Sequence, residues 1–376
     1  MSGRVRPRQR DVLRFLDDDP GVRRAWGEHS NELSVEQWLT EPQQTQPVAA
    51  AEGWDVPPIE SAGALAEWLL LYPSELDWFA DLKGLGYKTK RPRLTHYHYR
   101  ALPKGSGAVR LIEAPKPTLK ELQRKILTEI LNRIPAHPAV HGFRRGRSIK
   151  TYVSPHVGKR VVLKMDLQDF FPSITGARIQ TVFRTMGYPE SVADLLGGIC
   201  TNAVPGYGDL YKRPHLPQGA PTSPALANLC AYRVDCRLTG LARSAEAEYT
   251  RYADDLAFSG DENFEHRVER FSTHVAAILN EEGFSVNHRK TRIMRQGVRQ
   301  YLAGLVANQR VNVIRTDFDR LKATLTNCVR LGPESQNRDG HPLFRAHLEG
   351  RVGFVETINA AKGKRLRRIL ERIVWP

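Results

Sequence analysis

Residues 249–260 read Tyr249-Thr-Arg-Tyr-Ala-Asp-Asp-Leu-Ala-Phe-Ser-Gly260. Two apolar-alternating arms flank the adjacent acids Asp254 and Asp255. Period-two alternation is the mark of a strand, and short hairpins place polar residues at their turns. The stretch therefore predicts a β-hairpin with two carboxylates at its tip. Neighbouring like charges repel, so a counter-cation is the functional reading of the pair. Taken alone, such a pair is more often an ordinary acidic turn.

The rest of the chain weighs on that choice. It has 376 residues, 41% of them hydrophobic and 26% charged, the composition of a globular protein large enough for two or three domains or one lobed fold. No apolar run of about 18 residues occurs, so no membrane span is expected. The basic start lacks a following apolar segment, so a secretory signal is not expected either. The four cysteines show no Cys-x-x-Cys spacing, which predicts small buried side chains in a reducing, cytoplasmic setting. The formal net charge of +15 favours a polyanionic partner, above all nucleic acid.

Upstream, residues 1–90 read as a separate helical extension. Ser34-x-x-Gln37 resembles a capping box, residues 40–52 resemble a linker, and Leu65, Trp68, Leu69 and Tyr72 recur at helical spacing. Residues 95–113 read as a hairpin with Lys104 and Arg110 near its tip and return arm, a form suited to clamping a triphosphate. His96 and His98 on that hairpin read as structural. A helix from Leu119 to Ile134 follows, ended by Pro135. The loop His141-Gly-Phe-Arg-Arg-Gly-Arg-Ser-Ile149 offers Arg144, Arg145 and Arg147 to a phosphate backbone. Residues 161–165 read as a buried strand with Asp166 at its end. Thr222 or Ser223 is expected to cap a helix after the Pro/Gly loop 216–221. Beyond the opening hairpin come an amphipathic helix, a segment carrying Lys290, a second hairpin over 301–314 and a helical C-terminal part. There Lys364, Arg365, Arg367 and Arg368 form a basic face suited to a nucleic-acid duplex.

One chemistry uses all of these. Nucleotidyl transfer needs an attacking hydroxyl, an in-line triphosphate and two divalent ions, and Mg²⁺ favours oxygen ligands. Asp166, 88 residues upstream of Asp254, would join the hairpin pair as the third carboxylate.

Tyr252-Ala-Asp-Asp255, Asp166-Leu-Gln-Asp-Phe-Phe171 and Leu216-Pro-Gln-Gly-Ala-Pro-Thr-Ser-Pro224, in this order from about residue 95 onward, resemble a reverse transcriptase. The resemblance implies an α+β right-hand polymerase: fingers 91–160, an antiparallel-sheet palm 160–307 and a helical thumb 308–376, preceded by the 1–90 extension. It implies Asp166, Asp254 and Asp255 as catalytic metal ligands for two Mg²⁺ ions, with Mn²⁺ as substitute. It implies Arg110, Phe171, Gln218 and Lys290 around the incoming deoxynucleotide. Phe171 would exclude a ribose 2′-OH, Arg110 hold triphosphate and Lys290 protonate pyrophosphate. Leu302–Val306 resembles the primer-grip hairpin.

The opening stretch, the 141–149 block and the compact thumb resemble bacterial retron enzymes in particular. Such enzymes bind a cognate structured non-coding RNA and copy part of it into DNA, priming from the 2′-OH of an internal guanosine. Two family elements differ here. Tyr152-Val-Ser-Pro-His156 keeps only the histidine of Asn-Ala-x-x-His, and Leu302-Ala-Gly304 keeps only the glycine of Val-Thr-Gly. With no nuclease or toxin motif, an effector of an antiphage system would be a separate protein. With no ribonuclease H-like block after the thumb, template RNA would be removed by another protein. The alternatives are a group II intron-like or diversity-generating reverse transcriptase, for which no maturase or endonuclease extension is visible, and an RNA-binding scaffold of a defence complex.

Overall fold

The structure is a computed structural model that describes residues 18–29, 45–86, 94–103 and 109–375. The backbone divides into two compact units, residues 1–43 and 44–376. In the first, the described element is helix α1 (Pro20–His29). The capping box expected at Ser34 lies outside the described residues.

The second unit opens with helices α2 (Ala62–Leu69) and α3 (Pro73–Ala80). Ser61 caps α2 by accepting from the Ala64 N–H at 3.1 Å. The helical spacing through Tyr72 predicts one helix, but Leu70 turns left-handed (φ 58°) and Pro73 starts a new one. Next come the hairpin β1 (Tyr97–Pro103) and β2 (Val109–Pro115), then α4 (Pro117–Glu129) and α5 (Ile149–Val153). Strand β3 (Val161–Asp166) leads into α6 (Phe170–Ser173), α7 (Gly176–Thr185) and α8 (Glu190–Cys200). Helices α9 (Ser223–Cys230) and α10 (Tyr232–Ser244) precede the hairpin β4 (Glu248–Tyr252) and β5 (Asp255–Gly260). Helix α11 (Glu262–Glu281), β6 (Arg292–Arg295) and the short strands β7 (Tyr301–Leu302), β8 (Leu305–Val306) and β9 (Asn312–Val313) follow. The chain closes with α12 (Arg315–Leu331), α13 (Phe344–Ile358) and α14 (Ala360–Leu370).

The central sheet has the order β4-β5-β3-β6 and is antiparallel throughout. Alternation along β3 splits its side chains between two cores. Val161, Leu163 and Met165 join a core with Leu256, Phe258 and the residues of α10 and α11. Val162 joins the other, with Ala257, Met294 and the apolar faces of α12, α13 and α14. Residues two apart share a face, so Lys164 and Asp166 lie on the Val162 side. The run 161–165 is therefore not uniformly apolar in role: Lys164 breaks it.

Three expectations are corrected. Residues 45–86 are no separate extension: Ile59, Leu65, Leu69, Leu76 and Ala80 are buried in the main core. The expected linker is bonded to that body, since Gln46 N–H donates to Gly187 O (2.9 Å) and Val48 N–H to Thr185 O (3.3 Å). From Thr45 onward, Pro47 and its polar neighbours mark irregular backbone, not a free tether; residues 40–44 lie outside the described residues. Finally, neither Thr222 nor Ser223 caps α9 with its side chain: Ser223 Oγ instead donates to Pro217 O at 2.7 Å, pinning the preceding loop.

Because Leu65 is 0% exposed within this shared core, Leu65→Ala should destabilise the main cooperative unfolding transition by about 2–5 kcal/mol. Urea unfolding followed by circular dichroism checks it. An unmoved main transition would mean that residues 45–86 fold apart.

Candidate active site

The hairpin turn consists of Ala253 and Asp254, because Tyr252 pairs with Asp255. Asp255 is thus the first residue of β5, not part of the tip. It stands directly opposite Asp166 on β3. The Leu167 N–H, one residue past Asp166, donates to Asp254 O at 2.9 Å. Backbone bonding alone therefore brings together carboxylates 88 residues apart in sequence.

Each acid has its own surroundings. Asp166 is 4% exposed and accepts from Lys290 Nζ at 2.9 Å. Asp255 Oδ1 lies 2.9 Å from Lys164 Nζ. Burial pushes the Asp254 carboxyl above its ordinary range, and Asp166 and then Asp255 push it the same way. Among the described residues, no three His, Cys, Asp or Glu side chains converge as a ready-made metal site, and lysines hold Asp166 and Asp255. The chemistry of the donor set nonetheless suits a hard divalent cation: crowded, half-buried carboxylate oxygens are the ligands Mg²⁺ and Mn²⁺ take, and added positive charge would relieve the strain on Asp254.

Asp166 and Asp254 open onto a cavity of about 1120 Å³ that Arg110, Phe171, Gln218 and Lys290 also line. The structure brings these sequence-predicted residues together; Lys104 lies outside the described residues. Phe171 follows Asp169, whose left-handed backbone (φ 47°) turns the chain out of β3 into α6. Gln218 is tied to the β1–β2 hairpin, since Glu113 N–H donates to Gln218 O at 2.8 Å. A Cβ on Gly219 would come within 2.9 Å of Glu113 O, so glycine permits that contact. The Glu113 side chain is buried too, bonded to His215 Nε2 (3.0 Å) and Asn202 Nδ2 (2.8 Å).

The basic residues divide. Arg145 and Arg147 are exposed, as are Lys364, Arg365 and Arg368. Arg144 instead donates to His137 O at 3.2 Å. Arg367 is taken by Glu356, with Nε–Oε1 at 2.9 Å, and joins α14 to α13. His96 is structural as expected, bonded to Trp78 O at 2.9 Å.

Sequence reading missed the charged layer beneath the hairpin. Arg251 and Asp235 are both 0% exposed. Arg251 Nε donates to Asp235 Oδ1 (2.8 Å) and Nη2 to Oδ2 (2.7 Å), while Tyr249 Oη donates to Oδ1 (2.8 Å). The signal lay in a lone arginine on an apolar strand and a lone aspartate on the apolar face of α10. Two further buried groups face the sheet. The Tyr152 hydroxyl has no hydrogen-bond partner. Burial, and then Asp255, Asp254 and Asp166, hold it far above the usual phenol range. His156 joins the two arms of the hairpin, with Nδ1 to Ser259 Oγ and Nε2 to Thr250 Oγ1, each at 2.7 Å. Thr250 Oγ1 already donates to Tyr152 O, so it accepts from His156. Nε2 therefore carries a proton, and burial, which lowers the pKa of this ring, favours its neutral form.

Comparison with known proteins agrees with this geometry. Residues 102–312 match the family model for reverse transcriptase (RNA-dependent DNA polymerase). The retron Mx65 reverse transcriptase of Myxococcus xanthus is 44% identical over 292 residues, covering 75% of this chain and 66% of that protein. The retron Mx162 reverse transcriptase of the same organism is 38% identical over 328 residues, 81% of this chain and 65% of that one. The retron Ec86 reverse transcriptase of Escherichia coli is 32% identical over 266 residues, 70% of this chain and 77% of that one. The chain thus spans about two thirds of the length of the two Myxococcus proteins, 66% and 65%. The antiparallel sheet with its flanking helices is the polymerase fold of this class. The chain belongs to the reverse transcriptase family, as a member of its bacterial retron type.

Burial lowers the His156 pKa from 6.5 to about 3. The unfolded chain therefore binds the extra proton as pH falls below about 6.5, and stability is lost from there downward. At pH 5 the loss from this group is about 2 kcal/mol. Urea unfolding against pH should show a slope smaller by about one proton between pH 6 and 4 in His156→Gln than in the parent protein.

Proposed function

We propose that this chain is an RNA-directed DNA polymerase that copies part of a cognate structured non-coding RNA into single-stranded DNA. The observation that carries the reading is the shared cavity of Asp166, Asp254, Arg110, Phe171, Gln218 and Lys290 in a retron-type chain. On this reading the fingers are assigned to 91–160, the palm to 160–307 and the thumb to 308–376.

Asp166 and Asp254 would hold the divalent ions, Mg²⁺ or Mn²⁺, with Asp255 recruited from Lys164. Ions held there would supply neutralisation of the triphosphate charge and a lowered pKa for the attacking hydroxyl. The priming hydroxyl, here the 2′-OH of a guanosine in the RNA, attacks the α-phosphorus, and pyrophosphate leaves in line. Arg110 holds the triphosphate from β2. Gln218 contacts the nucleotide from its loop, which the Glu113 backbone sets against the same strand. Lys290, bonded to Asp166 here, would supply the proton to the departing pyrophosphate. Phe171, which lines the cavity, would exclude a ribose 2′-OH. Arg145, Arg147, Lys364, Arg365 and Arg368 bind RNA and the growing hybrid. Arg144 and Arg367 support them from their ties to His137 and Glu356. The enzyme acts in the bacterial cytoplasm within an antiphage system whose effector is a separate protein.

Asp254→Asn with Asp255→Asn should lower dNTP incorporation on a primed RNA template by at least about 10³-fold while RNA affinity changes little. Retained synthesis would sink the metal-site assignment. Sequencing of copurifying nucleic acid should find a branched RNA–DNA molecule, and long linear cDNA from varied templates would overturn the retron product. Phe171→Ala should admit ribonucleotides, read as a fall of about tenfold or more in the dNTP/rNTP ratio of kcat/KM. An unchanged ratio would remove Phe171 from that role.

A further inference from the structure

The turn that presents Asp254 is an unfavourable one. Ala253 has φ 56°, a left-handed conformation that suits glycine and strains a residue with a Cβ. Two-residue hairpin turns with a positive φ at their first position ordinarily place glycine there. Something must hold the alanine in this conformation, and three contacts converge on it.

The first comes from below. Arg251 Nη1 donates to Ala253 O at 3.1 Å and also to Asn228 Oδ1 at 3.2 Å. The rest of the guanidinium is fixed by both oxygens of Asp235. Guanidinium and carboxylate are wholly buried, so their positions cannot relax into water. The second contact comes from the side. Residues 139–141 add a short parallel stretch along β4: Arg251 N–H donates to Ala139 O, and His141 N–H to Arg251 O, each at 2.8 Å. A Cβ on Gly142 would fall 2.6 Å from Ala253 N, so this backbone packs directly on the turn. Asn228 Nδ2 donates to Gly142 O at 3.1 Å, joining the side contact to the lower one. The third comes from β3, where Leu167 N–H holds Asp254 O.

We propose that Arg251, set by Asp235, is a positioning residue for the polymerase centre. Its Nη1 anchors the carbonyl of Ala253 and thereby sets the direction in which the Asp254 carboxylate leaves the turn. It touches no substrate and acts through Asp254. A carboxylate displaced by about 1 Å costs a two-cation site on the order of a hundredfold in rate, so a buried fork under the turn has a direct kinetic consequence. The inference rests on the polymerase reading above.

The decisive variant replaces the pair together, Arg251→Met with Asp235→Leu. Swapping a buried ion pair for apolar side chains of similar volume preserves folding in other proteins, whereas removing one partner strands a charge. Combined with Tyr249→Phe, which removes the hydroxyl that Asp235 would otherwise leave unpaired, the paired variant keeps a filled interior and loses the bond to Ala253 O. The expected result is an unfolding midpoint within a few degrees of the parent. On a primed RNA template with dTTP, kcat should fall about hundredfold and KM for dTTP change less than about threefold. Mn²⁺ titration of the protein alone, followed by electron paramagnetic resonance, should show affinity weakened by about tenfold. A merely structural pair would leave kcat and Mn²⁺ affinity at parent values once folding is retained, and that result overturns the proposal. If the paired variant does not fold, Arg251→Lys decides: it keeps a cation against Asp235 but lacks the fork that reaches both Asp235 and Ala253 O. A parent-like kcat there also overturns the proposal. A parent protein that incorporates no dTTP would instead mean that the polymerase reading itself has failed.

Discussion

The antiparallel pairing of β3 with β5 carries the arrangement on which everything else depends. It sets Asp166 against Asp255 and lets the next amide, Leu167 N–H, reach the carbonyl of Asp254. Side chains alternate along a strand, so a one-residue slip would drive Asp166 into the core and bring Met165 to the cavity. That slip is opposed from both faces. Leu163 and Phe258 are packed on one side, Val162 and Ala257 on the other, all without exposure. The two cores thus define where the carboxylates stand.

Charge is layered around this pairing. Deepest is the Arg251–Asp235 pair, fully buried and nearly saturated with hydrogen bonds. A buried ion pair contributes little net stability, and its value here is geometric: rigid, directional donors beneath a strained turn. Above it lies the carboxylate layer, partly open to the cavity, with Asp254 raised by burial and by its acidic neighbours and with lysines on Asp166 and Asp255. Lysine ammonium groups are mobile point charges on flexible stems. They neutralise the acids without locking them.

A second connection runs through the side of the cavity that Arg110 and Gln218 line. Glu113 joins β2 to the Gln218 loop by its backbone and to His215 and Asn202 by its side chain. Arg110 and Gln218, which sequence separates by more than a hundred residues, therefore sit on one connected piece of structure. Movement of the β1–β2 hairpin would carry both.

Local patterns made much of this legible. The alternating arms around Asp254 and Asp255, the apolar strand ending at Asp166 and the helical periodicities each reflect a single element, whose spacing is written in consecutive residues. Motif order added the family, and with it the grouping of Arg110, Phe171, Gln218 and Lys290. The packing of residues 45–86 into the main core was not legible, because a helix stripe shows that a face is buried but not against what. Nor was the fate of individual charges. Arg367 looks like the other cations of α14 until Glu356 on α13 is seen beside it. Lys164 and Arg251 sit on otherwise apolar strands, and only cross-strand pairing and helix packing supply their partners, Asp255 and Asp235. Sequence by itself determined which elements form and which chemistry they can bear. The tertiary structure alone decided which charges meet, because burial and hydrogen bonding between residues far apart in the chain depend on packing that no local pattern encodes.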